Sequence, residues 1–324
     1  PTSPRPQQQA HKNQESRSYT NILTSSSVLH MNATSTLLLA AVPAFILLSI
    51  VEYVDHRRDR DATHTFSKRS VLDYVGNWAT YLINTAAKAL TQYILPFSTI
   101  VVASALTPLH LSAKHWWVWV ACLVVTDFCY YWAHRGDHRI RLLWAAHSVH
   151  HSSNYFNLST NLRLPWFHPV SYTLRSLAWL PAALLGFPVW MILLLNTAGL
   201  LFQIPFHTQR IDKLWAPWEF IFNSPSHHRV HHGSNQPYID KNYGGVFIIW
   251  DRIFGSYAEE TEPVRYGLLH DVETQNPIKY NYVETVNMLR DTARAHTWRG
   301  RLGYLFGPPG YAEKNKSDDE LITA

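Results

Sequence analysis

The sequence predicts an all-α integral membrane protein with an N-terminal membrane helix, two helical hairpins and a cytosolic, histidine-rich helical cap. Three observations carry this reading. The apolar residues, 47% of the chain, are bunched into runs of about 20 residues, the length that spans a bilayer. The later runs are paired around turn signals, so each pair returns the chain to the side it left. Histidines at helical spacing follow the exits of both pairs.

A length of 324 residues suits one large domain or two small ones. Mean hydropathy is slightly negative, but that average mixes polar tails with apolar runs. The formal charge is +5. No basic face interleaved with aromatics accompanies it, and most arginines flank apolar runs, which speaks for membrane topology and against nucleic acid. Cys122 and Cys129 lie in one apolar run and read as packed free thiols.

Residues 1–31 are rich in Ser, Thr, Gln and His without periodicity, and read as a disordered polar tail with no signal-peptide plan. Residues 35–54 form the first span. Five Lys/Arg follow it between Arg57 and Arg69, against three before it (Arg5, Lys12, Arg17), so its far end is placed in the cytosol. The second span is 89–108, with a kink expected at Pro96. A turn at 109–115 leads to the third span, Trp116–Ala133, which has tryptophans at one end and Tyr130, Tyr131 and Trp132 at the other as interfacial belts. Residues 170–206 form the second hairpin, turning at Gly186-Phe187-Pro188, with short arms and with Arg175 snorkelling to the interface. Residues 32–260 thus make one membrane-embedded domain, and 261–324 a C-terminal cytosolic extension whose charged end, from Glu313, frays.

Two stretches, HRGDHRIRLLWAAHSVHH from His134 and HHRVHH from His227, hold nine of the 19 histidines. His134 and His138 are four apart, so their imidazoles project from one helical face. His147, His150 and His151 have H-x-x-H-H spacing, and His228, His231 and His232 repeat it. Neutral imidazole is a good ligand for iron, zinc, copper and nickel. One tetrahedral zinc takes about four ligands, so eight histidines argue for two metals or a loosely used surplus. His227 is the ambiguous member of the last box, since its phase is worse than that of His228. His207, at the exit of the second hairpin, is a candidate ninth ligand, and His168 reads as structural. Asp127 is the one acid inside the third span, seven residues before His134. It either orients a ligand imidazole through its other ring nitrogen or bonds a neighbouring helix. In the loop DKNYGG, Asp240, Asn242 and Tyr243 are further candidates for supporting the ligands, against an ordinary surface turn. Asp251 reads as a helix cap or an arginine partner.

The order H-x-x-x-H, H-x-x-H-H, then H-x-x-H-H after a second hairpin resembles the fatty acid hydroxylase and sterol desaturase superfamily. The likeness spans Asp127 to Leu269. It is greatest in HSVHHSSNYFNLSTNLR (147–163) and NSPSHHRVHHGSNQPYIDKNYGGVFIIWDRIFGSY (223–257), which look like the alkylglycerol monooxygenase branch. The resemblance implies a membrane non-haem di-iron enzyme with His134, His138, His147, His150, His151, His228, His231 and His232 as ligands. One departure stands out: the residue after the second histidine of the first box is typically acidic in that branch, and here it is Arg139.

The function expected is therefore oxygen-dependent hydroxylation or desaturation of an alkylglycerol ether lipid, a sterol or a fatty acyl chain. Two iron ions would be the cofactors, and a reductase with a haem cytochrome, or tetrahydrobiopterin, the electron donor. The location implied is the endoplasmic reticulum, or the inner membrane in a bacterium, with the site facing the cytosol. The rivals are a metal-binding membrane protein or transporter, and a zinc hydrolase using Asp137 as base.

Overall fold

The computed structural model describes residues 36–37, 39–55, 68–91, 95–270, 272 and 274–313. The expected tail 1–31, nearly all of the basic stretch after the first span, and the end beyond Glu313 lie outside them. Every regular element among the described residues is helical, apart from an isolated antiparallel bridge between Phe222 and Phe247. Among the described residues, two helical stretches are long and apolar enough to cross a membrane, Trp116–Arg139 and Val189–Phe206.

The first two helices are inside out. Helix α1 (39–55) exposes Leu39, Leu47, Ile50 and Val51 and buries Ser49 and Glu52. Helix α2 (Lys68–Thr91) buries Asp73, Asn77, Thr80 and Asn84 and exposes Leu72, Val75, Leu82 and Ile83. Spacings of four, three and four place the polar four on one face, and buried polar groups need partners. Asp73 meets Arg163 at 2.6 Å with both side chains 1% exposed. It also accepts from Ser153 Oγ at 2.8 Å and Asn77 Nδ2 at 3.2 Å. The Arg163 guanidinium lies 3.9 Å over the Tyr280 ring. The region around the expected second span belongs to two helices. One is the end of α2, and the other is α3 (Leu95–Leu106), with Pro96 in its first turn, where proline's missing N–H costs nothing.

Helix α4 (Trp116–Arg139) carries the third expected span and continues two turns beyond it. The second hairpin's leading arm is broken into α6 (Pro169–Ser176), a 3-10 turn and α7 (Leu180–Leu184), and only its second arm, α8 (Val189–Gln203), is long. Residues of α3, α4, α7 and α8 meet in one apolar core of Ile100, Ala103, Val118, Cys122, Cys129, Ala182, Met191 and Ile192. Both cysteines are free and buried there. The turns before α4 and α8 join at one end: Leu111 N–H donates to Gly186 O at 2.9 Å, and Thr107 Oγ1 to Leu184 O at 2.7 Å. Gly186 has φ +86°, and a Cβ there would strike the Leu109 backbone, so only glycine fits that turn. With the turns fixed together, the residues after α4 and α8 emerge at the opposite end.

At that end follow α5 (Arg141–His151), α9 (Ala216–Ile221), α10 (Pro225–His231), α11 (Ile249–Ile253), α12 (Pro277–Arg294) and α13 (Trp298–Phe306). The segment after residue 260 packs on what precedes it. Buried Arg141 pairs with Glu284 at 2.9 Å and Asp291 at 2.8 Å, and its N–H donates to Gly307 O. Glu313, expected to fray, accepts from the N–H groups of His296 and Thr297 ahead of α13.

Candidate metal centre

Nine histidines converge in two groups whose ligand nitrogens lie within 4.8 Å of one another. One group is His134, His138, His147, His151 and His231; the other is His150, His207, His228 and His232. The boxes do not map one to one onto groups, and the helix explains why. With 100° per residue, positions i and i+4 differ by about 40°, whereas i+3 falls about 60° to the other side. On α5, His147 and His151 form the i, i+4 pair and enter the five-histidine group, while His150 turns to the other. On α10, His228 and His232 enter the four-histidine group, while His231 turns back to the first. Each helix therefore serves both groups. His151 and His232 stack across the boundary, with ring centroids 4.2 Å apart.

Helix α4 supplies His134 and His138 from its last two turns. Helix α10 starts at Ser224-Pro225: the Ser224 hydroxyl accepts from His227 N–H, and proline occupies the first turn, so seven residues and the His232 cap suffice to set three ligand histidines. His207 follows α8 and its 3-10 extension and brings Nε2 to 3.1 Å from His150 Nε2 and 2.9 Å from His228 Nε2. His227 stands apart, facing Tyr257 at 5.6 Å, with Nε2 4.0 Å from Glu219. His168 lies outside both groups and stacks on Tyr282.

The nitrogens present the arrangement that a cation requires. His134 Nδ1 donates to Tyr243 O at 2.9 Å and His231 Nδ1 to Lys241 O at 3.1 Å. Both imidazoles are thereby fixed with the Nε2 lone pair facing inward. His147 Nε2 faces the Nε2 atoms of His134 and His151, each at 3.1 Å. One proton cannot serve both contacts. The Nε2 atoms of His138, His231 and His232 are buried without a hydrogen-bond partner. Nitrogens about 2.1 Å from one metal stand about 3.0 Å apart at a right angle, which matches these separations. The residues fit two metal ions.

Burial, reinforced by neighbouring imidazoles, holds His147, His151, His207, His228, His231 and His232 well below the usual 6.5, and burial lowers His150 to about 4. They are neutral near pH 7, the form that binds metal. Below pH 6.5 the unfolded chain takes up protons that the folded chain refuses, so folding weakens as pH falls. The metal-free protein is expected to hold its stability from pH 8 to about 7 and lose it from 6.5 towards about 4, where His150 titrates. A denaturation midpoint unchanged down to pH 5 would contradict this.

The loop after α10 supports the ligands by its backbone. Asp240 (φ +59°) and Asn242 (φ +57°) are left-handed without being glycine, a conformation kept where surroundings enforce it. It turns the Lys241 and Tyr243 carbonyls towards the site. Asn242's side chain bonds His227 O and Ala258, and so holds the loop rather than an imidazole. Asp240 pairs with Arg139 at 2.6 Å and lies 3.8 Å from His138 Nδ1. The Tyr243 ring is 5.3 Å from that of His138.

Asp127 does not reach an imidazole, a correction to one sequence expectation. Seven residues along a helix is about 10 Å. Its oxygens instead accept from Val246 N–H (2.7 Å), Phe247 N–H (3.0 Å) and Trp250 Nε1 (2.9 Å). Asp251, expected to cap a helix or meet an arginine, accepts from Tyr243 N–H (2.8 Å), Gly244 N–H (2.7 Å) and Ser256 Oγ (2.7 Å). These two buried carboxylates fix the loop that presents Tyr243 O to His134. Arg175, expected at the interface, turns to Asp137 at 2.7 Å. That pairing neutralises the carboxylate a zinc hydrolase would need.

Sequence reasoning missed Glu52, which accepts from Leu158 N–H (2.7 Å) and from Thr208 Oγ1 (2.6 Å), next to His207. It also missed Phe156, whose ring lies 5.0 Å from His232 and stacks on Tyr266. A cavity of about 50 Å³ adjoins them, lined by Glu52, Tyr74, Phe156, Gln209 and Tyr266 among others. The signal for Glu52 was available, as the lone acid in an apolar run.

Nine imidazoles converging on two adjacent points make a multi-histidine site able to hold metal. Residues 119–256 match the family model for fatty acid hydroxylase. Over 195 residues it is 39% identical to alkylglycerol monooxygenase of Homo sapiens, covering 60% of this chain and 43% of that protein. With the Danio rerio alkylglycerol monooxygenase it shares 37% over 237 residues, 72% of this chain and 50% of that one. Lathosterol oxidase of Mus musculus is 32% identical over 142 residues, 43% and 44% of the two chains. The chain thus spans about half the length, or less, of these relatives. No solved structure matches it.

Proposed function

We propose that the protein is a membrane-bound, di-iron, oxygen-dependent lipid oxidoreductase. The observation that carries the reading is the all-imidazole double site inside a fatty acid hydroxylase segment. The five-histidine and four-histidine groups would each hold one iron, with Asp240 and Tyr243 beside the ligands and Asn242 and Asp127 fixing the loop that carries them. Bound iron would supply the dioxygen chemistry that side chains lack. The chain's own part is to position and to exclude water. Tyr243 O and Lys241 O hold the protons on Nδ1 of His134 and His231. Trp144 and Phe156 close over the rings, 5.1 Å from His138 and 5.0 Å from His232.

The inside-out character of α1 and α2 supports placement in a bilayer, since apolar residues face outward and polar ones inward. The histidines then lie at the cytosolic end of the hairpins, in the endoplasmic reticulum or a bacterial inner membrane. An alkyl, acyl or sterol chain would enter along the seam of α4 and α8, where Leu123, Leu195, Gly199 and Val246 line a small gap below His134. Alkylglycerol monooxygenase and lathosterol oxidase relatives favour an ether lipid or a sterol. Electrons would come from a haem cytochrome with its reductase or from tetrahydrobiopterin.

The test is oxygen uptake by the purified, iron-loaded protein in detergent with alkylglycerol, sterol and fatty acyl substrates, each with both donors. Uptake matched by one oxidised lipid is expected. Tight iron binding with no lipid oxidation under any pairing would favour a metal-binding role instead.

A further inference from the structure

Helices α12 and α13 carry a surface that lipid oxidation does not use. On α12, Ile278, Val286 and Leu289 are 63%, 48% and 55% exposed and fall at i, i+8 and i+11, one helical face. Its opposite face buries Tyr280, Asn281 and Met288. On α13, Trp298, Leu302 and Phe306 are 66%, 45% and 51% exposed at i, i+4 and i+8, again one face.

The charges around these faces are sorted. The two acids of residues 277–306, Glu284 and Asp291, both turn inward to Arg141. The five bases, Lys279, Arg290, Arg294, Arg299 and Arg301, are all exposed. Glu313 is engaged with the N–H groups of His296 and Thr297. Apart from Asp291, which stays 38% exposed while paired with Arg141, what remains outward is apolar and basic.

We infer that the exposed faces of α12 and α13 rest on a lipid leaflet containing anionic headgroups. Tryptophan, leucine and phenylalanine beside arginine is the composition of helices that lie in a membrane interface, and the exposed arginines complement an anionic surface. An acidic protein would satisfy the arginines too. Lipid is favoured because α12 begins against α2: Tyr280 Oη donates to Gly76 O at 3.1 Å and meets the Thr80 hydroxyl. Close by in sequence, α2 exposes Leu72 and Val75. The inference rests on the membrane placement proposed above.

Cys122 and Cys129 are buried, so single cysteines carrying a fluorophore report local surroundings. Leu302→Cys is compared with Leu47→Cys on α1 and Glu259→Cys, all in the full chain, in nanodiscs of phosphatidylcholine with and without phosphatidylglycerol. In anionic discs, iodide quenching at position 302 is expected at least about threefold below that at 259, with doxyl-lipid quenching close to that at 47. Adding Arg294→Glu, Arg299→Glu and Arg301→Glu is expected to raise the iodide quenching towards the 259 level. Position 302 as open to iodide as 259, with 47 still shielded, would overturn the inference and leave the face to a soluble protein partner. If 47 is open as well, the membrane placement itself fails.

Discussion

His150→Ala is expected to abolish lipid oxidation and to lower bound metal from two ions per chain towards one. His150 is the only α5 residue in the four-histidine group, where it faces His207 at 3.1 Å. Its loss leaves three imidazoles there and all five in the other group. Loss of one ligand from such a site typically costs orders of magnitude in affinity, beyond the 10–100-fold seen for outer-shell partners. His227→Ala is the matched control. It removes a buried histidine of the last box that lies outside both groups, so metal content should stay unchanged. Full activity in His150→Ala, or equal metal loss in both variants, would break the assignment of histidines to groups. Metal analysis and oxygen uptake on the same preparations check it.

Asp73→Ala should be the most destabilising single change away from the histidines. It leaves the Arg163 guanidinium, 1% exposed, without its carboxylate. Stranding a buried charge in this way costs about 3–5 kcal/mol. The remaining partners of Arg163, Ser152 Oγ at 2.9 Å and Asn77 Oδ1 at 3.1 Å, are neutral. The same network ties α2 to the 152–163 segment and, through Tyr280, to α12, so the loss should loosen all three. The double variant Asp73→Ala/Arg163→Met removes the stranded charge and should recover part of the stability. Denaturation midpoints in detergent for the three proteins decide this. A single-variant cost below about 1 kcal/mol, the range of exposed pairs, would mean that water reaches Arg163.

The histidines were legible because helical spacing is local: four residues separate His134 from His138 wherever the chain goes. How they divide between groups was not legible. That depends on how α5 and α10 face each other, and the periodicity of one helix holds no information about the other. Helix α2 was hidden for a different reason. Its buried stripe is Asp73, Asn77, Thr80 and Asn84, so a search for apolar runs passes over it and begins the span late. Asp127 and Asp251 could be flagged as acids among apolar residues, but most of their partners are backbone N–H groups, and those of Asp127 lie 119 and 120 residues away. The Tyr243 and Lys241 carbonyls leave no sequence signal, because every residue has one. The turn at Gly186 was readable from its glycine and proline, whereas its bond to Leu111 was not.

Nine imidazoles in two groups would hold two irons, and counting metal in the purified chain tests this. Elemental analysis after expression in iron-replete medium should give close to two irons per chain in wild type, with little zinc. One zinc per chain, or no tightly held metal, would contradict the claim whatever lipids are later found to change.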